Sequence, residues 1–478
     1  MQGKKSHQEK LFISFQLSNR VPGDNFYRRL AQELDLRFLY RLTAPYYGTE
    51  GQKSIDPVVF FKLMLAGYLE NLNSDRRIIS AFSLRLDILY FIGYDVDEEL
   101  PWHSTLSRTR QLYGEHVFTE LFRRVLKQCC DKGMVSGRRQ AVDGFFIKAN
   151  ASLDSLIEKE ILKDGGLYGQ ELKANEEHDT AMVKPLKDHD DQDVIKPKNK
   201  PSNDTHYSPS DPDAKMSVKP GKATALNFLG QVAVDTTSHV ITHVQAVTAD
   251  KRDSECLPSV LRHVKHNLLG NGLLLSEIIA DKGYSSADAL KALQASGVTG
   301  YIPNRGQFNY QREGFIHDPL KDSFQCGNGS YLVHKQTTLT AGYWMKEYRV
   351  SRKECNTCAL KDTCSAYGKN ITRIVETLDK PYYDVMHIRM QTRKAKRMMK
   401  IRQGAVEPVI GTLVNYLGIK RVNSKGVEQA NKCLTMAAIA YNIKKMLKNK
   451  GKYLKSELKV FAQIFFTLFN SMHPSTTF

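Results

Sequence analysis

Long apolar runs are missing from this sequence. The longest, Val460–Phe469, reaches ten residues, about half of what a membrane-spanning helix needs. No membrane span and no membrane partner is therefore expected. Cysteine is also scarce, with eight in 478 residues. The basic start, MQGKKSHQEK, is followed by LFISFQL, too short and too polar for a secretory leader. Together these argue against a disulfide framework and for a reducing compartment. Acidic residues are too few to balance the basic ones, 51 against 69, which leaves a net charge of +18. Such a surplus favours a polyanionic partner. Hydrophobic residues make up 41%, so a wholly disordered chain is excluded.

The surplus is uneven. Residues 1–140 carry +5, residues 141–386 carry −2, and residues 387–478 carry +15. Nearly all the excess thus lies in the last 92 residues.

Apolar spacing predicts a helical first domain over 1–135, with helices at Pro57–Leu72 and Tyr113–Cys130. Between them lies PWHSTLSRTR. Pro101 stops one segment, Ser104 or Thr105 can cap a new helix, and Arg108 and Arg110 ride on it. This suits a helix-turn-helix-like unit presenting arginines to DNA; a helical bundle with a solvated basic face is the other reading.

Residues 136–303 read as mixed α/β. A strand runs over Gln140–Lys148, and a polar, proline-rich stretch over 155–222 reads as a loop. A hairpin follows (FLGQVAVD and HVITHVQAV), then a helix at Ser254–His266. An apolar strand ends at Asp281, a helix covers Ser286–Ala295, and a short strand covers Gly300–Pro303. Residues 304–386 read as a β-rich insertion. A basic helical part spans 387–451, where Pro408 and Gly411 suggest a kink or a new start after Glu407. Residues 452–478 form a tail.

Two acids stand out. Asp143 interrupts an apolar strand, where a charge is costly unless it is paired or binds metal. Asp281 ends another, at the strand edge where α/β sheets place ligands. Glu407 is one of two acids, with Glu428, among the 15 basic residues of 387–451. Taken singly, each fits an ion pair as well as a catalytic role.

Together these stretches resemble the DDE transposases of bacterial insertion sequences. PWHSTLSRTR looks like the family's helical N-terminal segment. AVDGFFIKANAS looks like its first catalytic strand, and IIADKGYSS like the strand ending in the second acid. RQGAVEPVIGTLVNYLGIKR looks like the helix of the third acid. Between them, SPSDPDAKMSVKPGKATALNFLGQVAVDTTSHVITHVQAVTADKRD looks like the second and third strands. The resemblance implies an RNase H-like mixed sheet flanked by helices, with a helical N-terminal domain and a cysteine-containing insertion. It implies Asp143, Asp281 and Glu407 as the acids holding two Mg2+ (or Mn2+) ions, for phosphodiester cleavage and strand transfer. Ser104, Arg108, Arg110, Arg402, Lys420 and Arg421 become the expected DNA contacts. Seven residues past the glutamate, where the family has a basic residue, this chain has Val414; Lys420 and Arg421 follow. The implied partners are double-stranded DNA, as terminal inverted repeats and target, and a second copy of the chain on DNA. The implied location is the cytoplasm, at the nucleoid. A nuclease of the same fold without strand transfer, or an inactive DNA-binding regulator, are the alternatives.

Four cysteines, Cys326, Cys355, Cys358 and Cys364, fall in the insertion as C-x28-C-x2-C-x5-C. One close pair and two outliers are candidate zinc ligands; free, reduced thiols are the other reading.

Overall fold

The computed structural model describes residues 5, 14–48, 50, 54–159, 201–218, 223–306, 308, 310–340, 342–368 and 370–449. The tail expected over 452–478 and most of the polar loop, 160–200 and 219–222, lie outside the described residues.

The first part is helical: α1 (Leu17–Arg20), α2 (Phe26–Glu33), α3 (Phe38–Thr43), α4 (Pro57–Leu69), α5 (Asp75–Phe82), α6 (Leu86–Ile92), α7 (His103–Leu112) and α8 (Glu115–Asp131). Helix α4 starts where its sequence dictates. The Asp56 side chain accepts from the amides of Val58 and Val59, and Pro57 takes the position that needs no donor. Helix α7 starts one residue before the expected cap. Trp102 holds the cap position with no side-chain cap, and Ser104 lies exposed in the first turn.

The second part is built on a six-stranded sheet. Its strands are β1 (Arg139–Lys148), β4 (Lys215–Ser217), β5 (Ala225–Asp235), β6 (Ile241–Thr248), β7 (Glu277–Ile279) and β8 (Thr299–Tyr301). A separate two-stranded ribbon, β2 (Ile157–Glu158) with β3 (His206–Tyr207), closes the polar loop. The order is β4–β5–β1–β7–β8, with β6 beside β5. Strand β5 is antiparallel to both β1 and β6, whereas β1, β7 and β8 run parallel. Antiparallel strands on one side and parallel strands on the other make the expected RNase H-like arrangement. Helices α9 (Asp253–Leu269) and α10 (Ala287–Ala295) connect the later strands.

The insertion is a second sheet, all antiparallel, in the order β13 (Arg373–Thr377), β12 (Tyr343–Arg349), β11 (Tyr331–Thr340), β10 (Ser323–Cys326), β9 (Phe315–Asp318). A short helix, α11 (Arg352–Asn356), follows β12. Its core is small: Phe324, Leu332, Tyr348, Ala366 and Ile374.

Three helices close the chain: α12 (Lys380–Gln391), α13 (Arg393–Tyr416) and α14 (Val427–Lys448). The break expected at Pro408 does not occur, since α13 runs through it. Ala405, Val406, Val409 and Leu413 bury one face of this turn, and the residue four before the proline is Gly404, which offers no side chain to crowd its ring. Burial of that face outweighs one lost backbone bond.

Helix α14 joins the two parts. Asn442 bonds both backbone groups of Ile241, at 2.9 and 2.8 Å, and Asn431 does the same for Ala246, at 2.7 and 2.8 Å. Edge strand β6 thereby has backbone groups satisfied by helix side chains. One hydrophobic core runs unbroken from Tyr27 in α2 to Leu447 in α14. Among the described residues, no helix is long and apolar enough to cross a membrane.

Candidate active site

Strand pairing places the first two acids. Ala141 of β1 is in register with Ile279 of the parallel β7. Two residues further along each chain stand Asp143 and Asp281. Asp281 lies just past the C-terminal end of β7, where parallel sheets open to ligands. Its side chain accepts from the Gly283 amide at 2.8 Å, which fixes its direction. Asp143 likewise accepts from Gly144 at 2.9 Å.

Arg402 meets both acids. Helix α13 packs across β1, β5, β7 and β8, with Ala395, Met398, Arg402, Ala405, Val406 and Val409 on its inner face. Arg402 is therefore driven inward by the stripe it belongs to. Its Nη2 lies 2.9 Å from Asp143 Oδ2 and 3.9 Å from Asp281 Oδ2. The side chain is only 9% exposed, and its buried Nε has no hydrogen-bond partner. Burial pushes the Asp143 carboxyl up to about 6; Arg402 pulls it down, and the charges of Asp281 and Asp253 add to the rise.

The other expected residues are placed as follows. Glu407 lies on α13, exposed. Five residues past Arg402, it is turned roughly 140° around the helix, and it has no ion-pair partner among the described residues. The structure brings Asp143 and Asp281 together and leaves Glu407 facing outward. Arg108, Lys420 and Arg421 are exposed. Lys420 and Arg421 follow α13 and run beside the end of β1: the Lys148 amide donates to the Lys420 carbonyl at 3.2 Å, and the Arg421 side chain donates to Asn150 at 2.9 Å.

Arg110 corrects an expectation. It is 7% exposed and forks onto Asp75 at 2.5 and 3.2 Å. Leu106 and Thr109 share its buried face, so its guanidinium holds α7 to α5 and is not offered to DNA.

Of the insertion cysteines, Cys355 feels the other three. Burial pushes its thiol up, a bond to Thr372 lowers it, and the charges of Cys364, Cys326 and Cys358 are all felt there. Among the described residues, no three histidine, cysteine, aspartate or glutamate side chains stand close enough to hold one metal ion.

One carboxylate escaped the sequence reading. Asp253, in the first turn of α9, accepts from Gln231 Nε2 at 2.7 Å. Its only sequence signal was a charge at the end of the turn ADKRD.

Comparison with known proteins agrees with this architecture. Residues 15–112 match the family model Transposase domain (DUF772), and residues 325–447 match the model Transposase DDE domain. The second match covers Arg402, Glu407 and the four insertion cysteines. Asp143 and Asp281 lie in the stretch between the two matches. The chain carries two transposase domains, the second of the DDE type, which indicates a DNA transposase. No curated protein matches it. Among solved structures it is similar to a piggyBac transposase synaptic complex with hairpin DNA, at 9% identity, with 90% of this chain and 76% of that one covered and a TM-score of 0.32. A Mos1 transposase paired-end complex with left transposon end follows, at 8% identity, 55% and 65% coverage and a TM-score of 0.16.

The DDE family implies a divalent metal, and two of the three expected donors, Asp143 and Asp281, are brought together. The donors are carboxylate oxygens, which suit a hard cation. A guanidinium already stands between two of them as a cation.

Proposed function

We propose that this transposase binds double-stranded DNA at the inverted-repeat ends of its own element, cuts there and joins the ends to target DNA. The meeting of Asp143 and Asp281 at Arg402 carries this reading. Asp143 and Asp281 would hold Mg2+ (or Mn2+), two ions per site, with Glu407 as the third acid. When bound, such ions polarise the phosphodiester and lower the pKa of the attacking hydroxyl. Asp143 and Asp281 supply the negative charge that recruits them. Arg402 offsets part of that charge and is a candidate contact for the phosphate. No covalent protein–DNA intermediate is needed, so no serine, tyrosine or cysteine nucleophile is assigned.

DNA contact is supported by exposure and charge. On α13, Arg393, Lys396, Arg397 and Lys400 all face solvent, which makes the outer side of the site's own helix a basic strip. Lys420 and Arg421 line a groove of about 860 Å3 together with Asn73 and Lys148. Ser104 and Arg108 of α7 extend the surface from the N-terminal helices. Two copies acting on paired ends is the assembly that end-joining chemistry favours.

The test uses the full chain, end-containing DNA and Mg2+. Joined products support transposition; nicks without joining leave only a nuclease; neither product under Mg2+ or Mn2+ overturns the reading. Mass measurement with and without end DNA tests the dimer. We assign the insertion cysteines a structural Zn2+ on their spacing in sequence alone, one close C-x2-C pair with two outliers. About one zinc per chain in the purified protein, lost in Cys355→Ser, is the expected result.

A further inference from the structure

A second cleft, of about 820 Å3, lies on the seam between the helical first part and the catalytic part. One wall is the start of α5 and the turn before it, with Asn73, Ser74 and Arg76. The other is the stretch between α13 and α14, with Arg421, Asn423 and Lys425. Asn73 and Arg421 are 348 residues apart in the chain. The walls are nevertheless stitched together. Asn423 donates to the Asn73 carbonyl at 2.8 Å, and Asn150, just past β1, donates to the Asn423 carbonyl at 2.9 Å. Gly418, at φ +69°, turns the chain off the end of α13, and a Cβ there would lie 3.4 Å from the Asn73 Cβ. These contacts hold the two walls at a fixed spacing.

The cleft is positive. Among the described residues the one acid that lines it, Asp75, is already forked by Arg110. Arg76, Arg421 and Lys425 are exposed, and none of them has an ion-pair partner among the described residues. Helix α5 starts in this wall, and Ser74 at its cap makes no side-chain capping bond, so first-turn amides are available to an anion. The cleft also leads somewhere. Arg421 lines the neighbouring groove of Lys148 and Lys420, which reaches back to Phe145 and Phe146 beside the acid Asp143. Three unopposed cations on two walls, along a path that ends near the acids, fit a chain of phosphates better than a single anion.

We infer that this seam cleft is a track for the backbone of duplex DNA, in which Arg76 and Lys425 hold phosphates from opposite walls and Arg421 passes the strand on toward the acids. This rests on the DNA-binding reading above and adds to it contacts shared between the two parts of the chain. The contacts are to phosphates, so they are indifferent to sequence. Lys148 stands five residues past Asp143, about 17 Å along a strand, or about five base pairs of duplex. The phosphates held in the cleft lie at least that far from the cut.

Filter binding of the full chain to an end-containing duplex and to a random duplex of equal length, at several salt concentrations and without metal, tests it. Arg76→Ala combined with Lys425→Ala should weaken binding to both duplexes by about tenfold or more and lower the salt slope by about two. The melting temperature should not move, since neither side chain has an ion pair to lose. Ethylation interference on the end duplex should mark phosphates about five or more base pairs from the cut, and those marks should vanish in the double variant. Arg262→Ala removes an exposed arginine of α9 outside these grooves and serves as the charge control, with affinity within about twofold of wild type. The inference alone fails if the double variant binds within about twofold of wild type at an unchanged slope, if Arg262→Ala weakens binding as much, or if only the end-containing duplex is affected, which would be base reading. If wild type binds neither duplex, the DNA-binding reading fails with it.

Discussion

Two carboxylate–arginine clusters, one in each sheet, show opposite balances of charge. In the insertion sheet, Glu347 accepts from Arg349 and Arg373 at 3.0 Å each and from Gln336 at 2.8 Å. One acid meets two guanidinium groups, and its carboxyl is pulled down to about 2, by Arg349 first, with burial opposing. In the catalytic sheet the acids outnumber the arginine, and burial pushes Asp143 up to about 6. The first cluster is complete and ties β12 to its neighbours. Among the described residues the second has one arginine for two acids, the imbalance expected of the cation site proposed above.

The strongest way to break this contrast is to neutralise an acid on each side. Asp143→Asn or Asp281→Asn should lower strand cleavage by about a thousandfold or more, since metal-borne stabilisation is several kcal/mol. The protein should stay folded and should still bind end DNA in a mobility-shift assay. Next comes Arg110→Ala, which strips a buried partner from Asp75. Denaturant unfolding should show a loss of about 3 kcal/mol.

The two clusters should also answer to pH with opposite sign. Asp143 has a folded pKa raised above its unfolded value of 3.8. It therefore opposes folding at neutral pH, and the metal-free protein regains that stability as pH falls from about 6 to about 4. Measured against Asp143→Asn, the gain should approach about 3 kcal/mol. Glu347 has a depressed folded pKa, from 4.5 to about 2. Its contribution is complete above pH 4.5 and fades as pH falls toward 2. Thermal unfolding of wild type, Asp143→Asn and Glu347→Gln across this range checks both signs. Glu347→Ala at neutral pH should cost about 2 kcal/mol, because its arginines are partly solvated, and should leave Mn2+ binding untouched. The smallest effect is expected at Arg108→Ala: a loss of DNA affinity of a few fold, with the salt slope lowered by about one.

Asp143 and Asp281 were legible because one interrupts an apolar strand and the other ends one, and a charge in such a place has few explanations. The mixed α/β class followed from the alternation of strand and helix, and the RNase H-like sheet from the family resemblance. Arg110 was readable but misread: Leu106, Thr109, Arg110 and Tyr113 repeat at helical spacing, which puts Arg110 inside and Arg108 outside. The turn from Arg402 to Glu407 is also arithmetic on a helix, five residues and not four. Asp253 was out of reach. Its place depends on Gly144, Gln231 and Tyr284, brought to it across 22 to 109 residues of chain, and nothing local marks it among four consecutive charged residues. The insertion's five antiparallel strands were visible only as fragments, because most of their side chains face solvent and the apolar alternation is weak.

Helix α13 is fastened at both ends. Near its start, Lys394 grips Glu277 at the beginning of β7, at 2.6 Å. Just past its end, the chain bonds to the far end of β1 through Lys148, at 3.2 and 3.0 Å. A rod pinned at two points on the same sheet does not spin on its own axis. With both pins closed, Glu407 stays on the side of the helix turned away from Asp143 and Asp281. The same fastening keeps Arg402 pressed on the acids and holds Glu407 on the outer face of the helix.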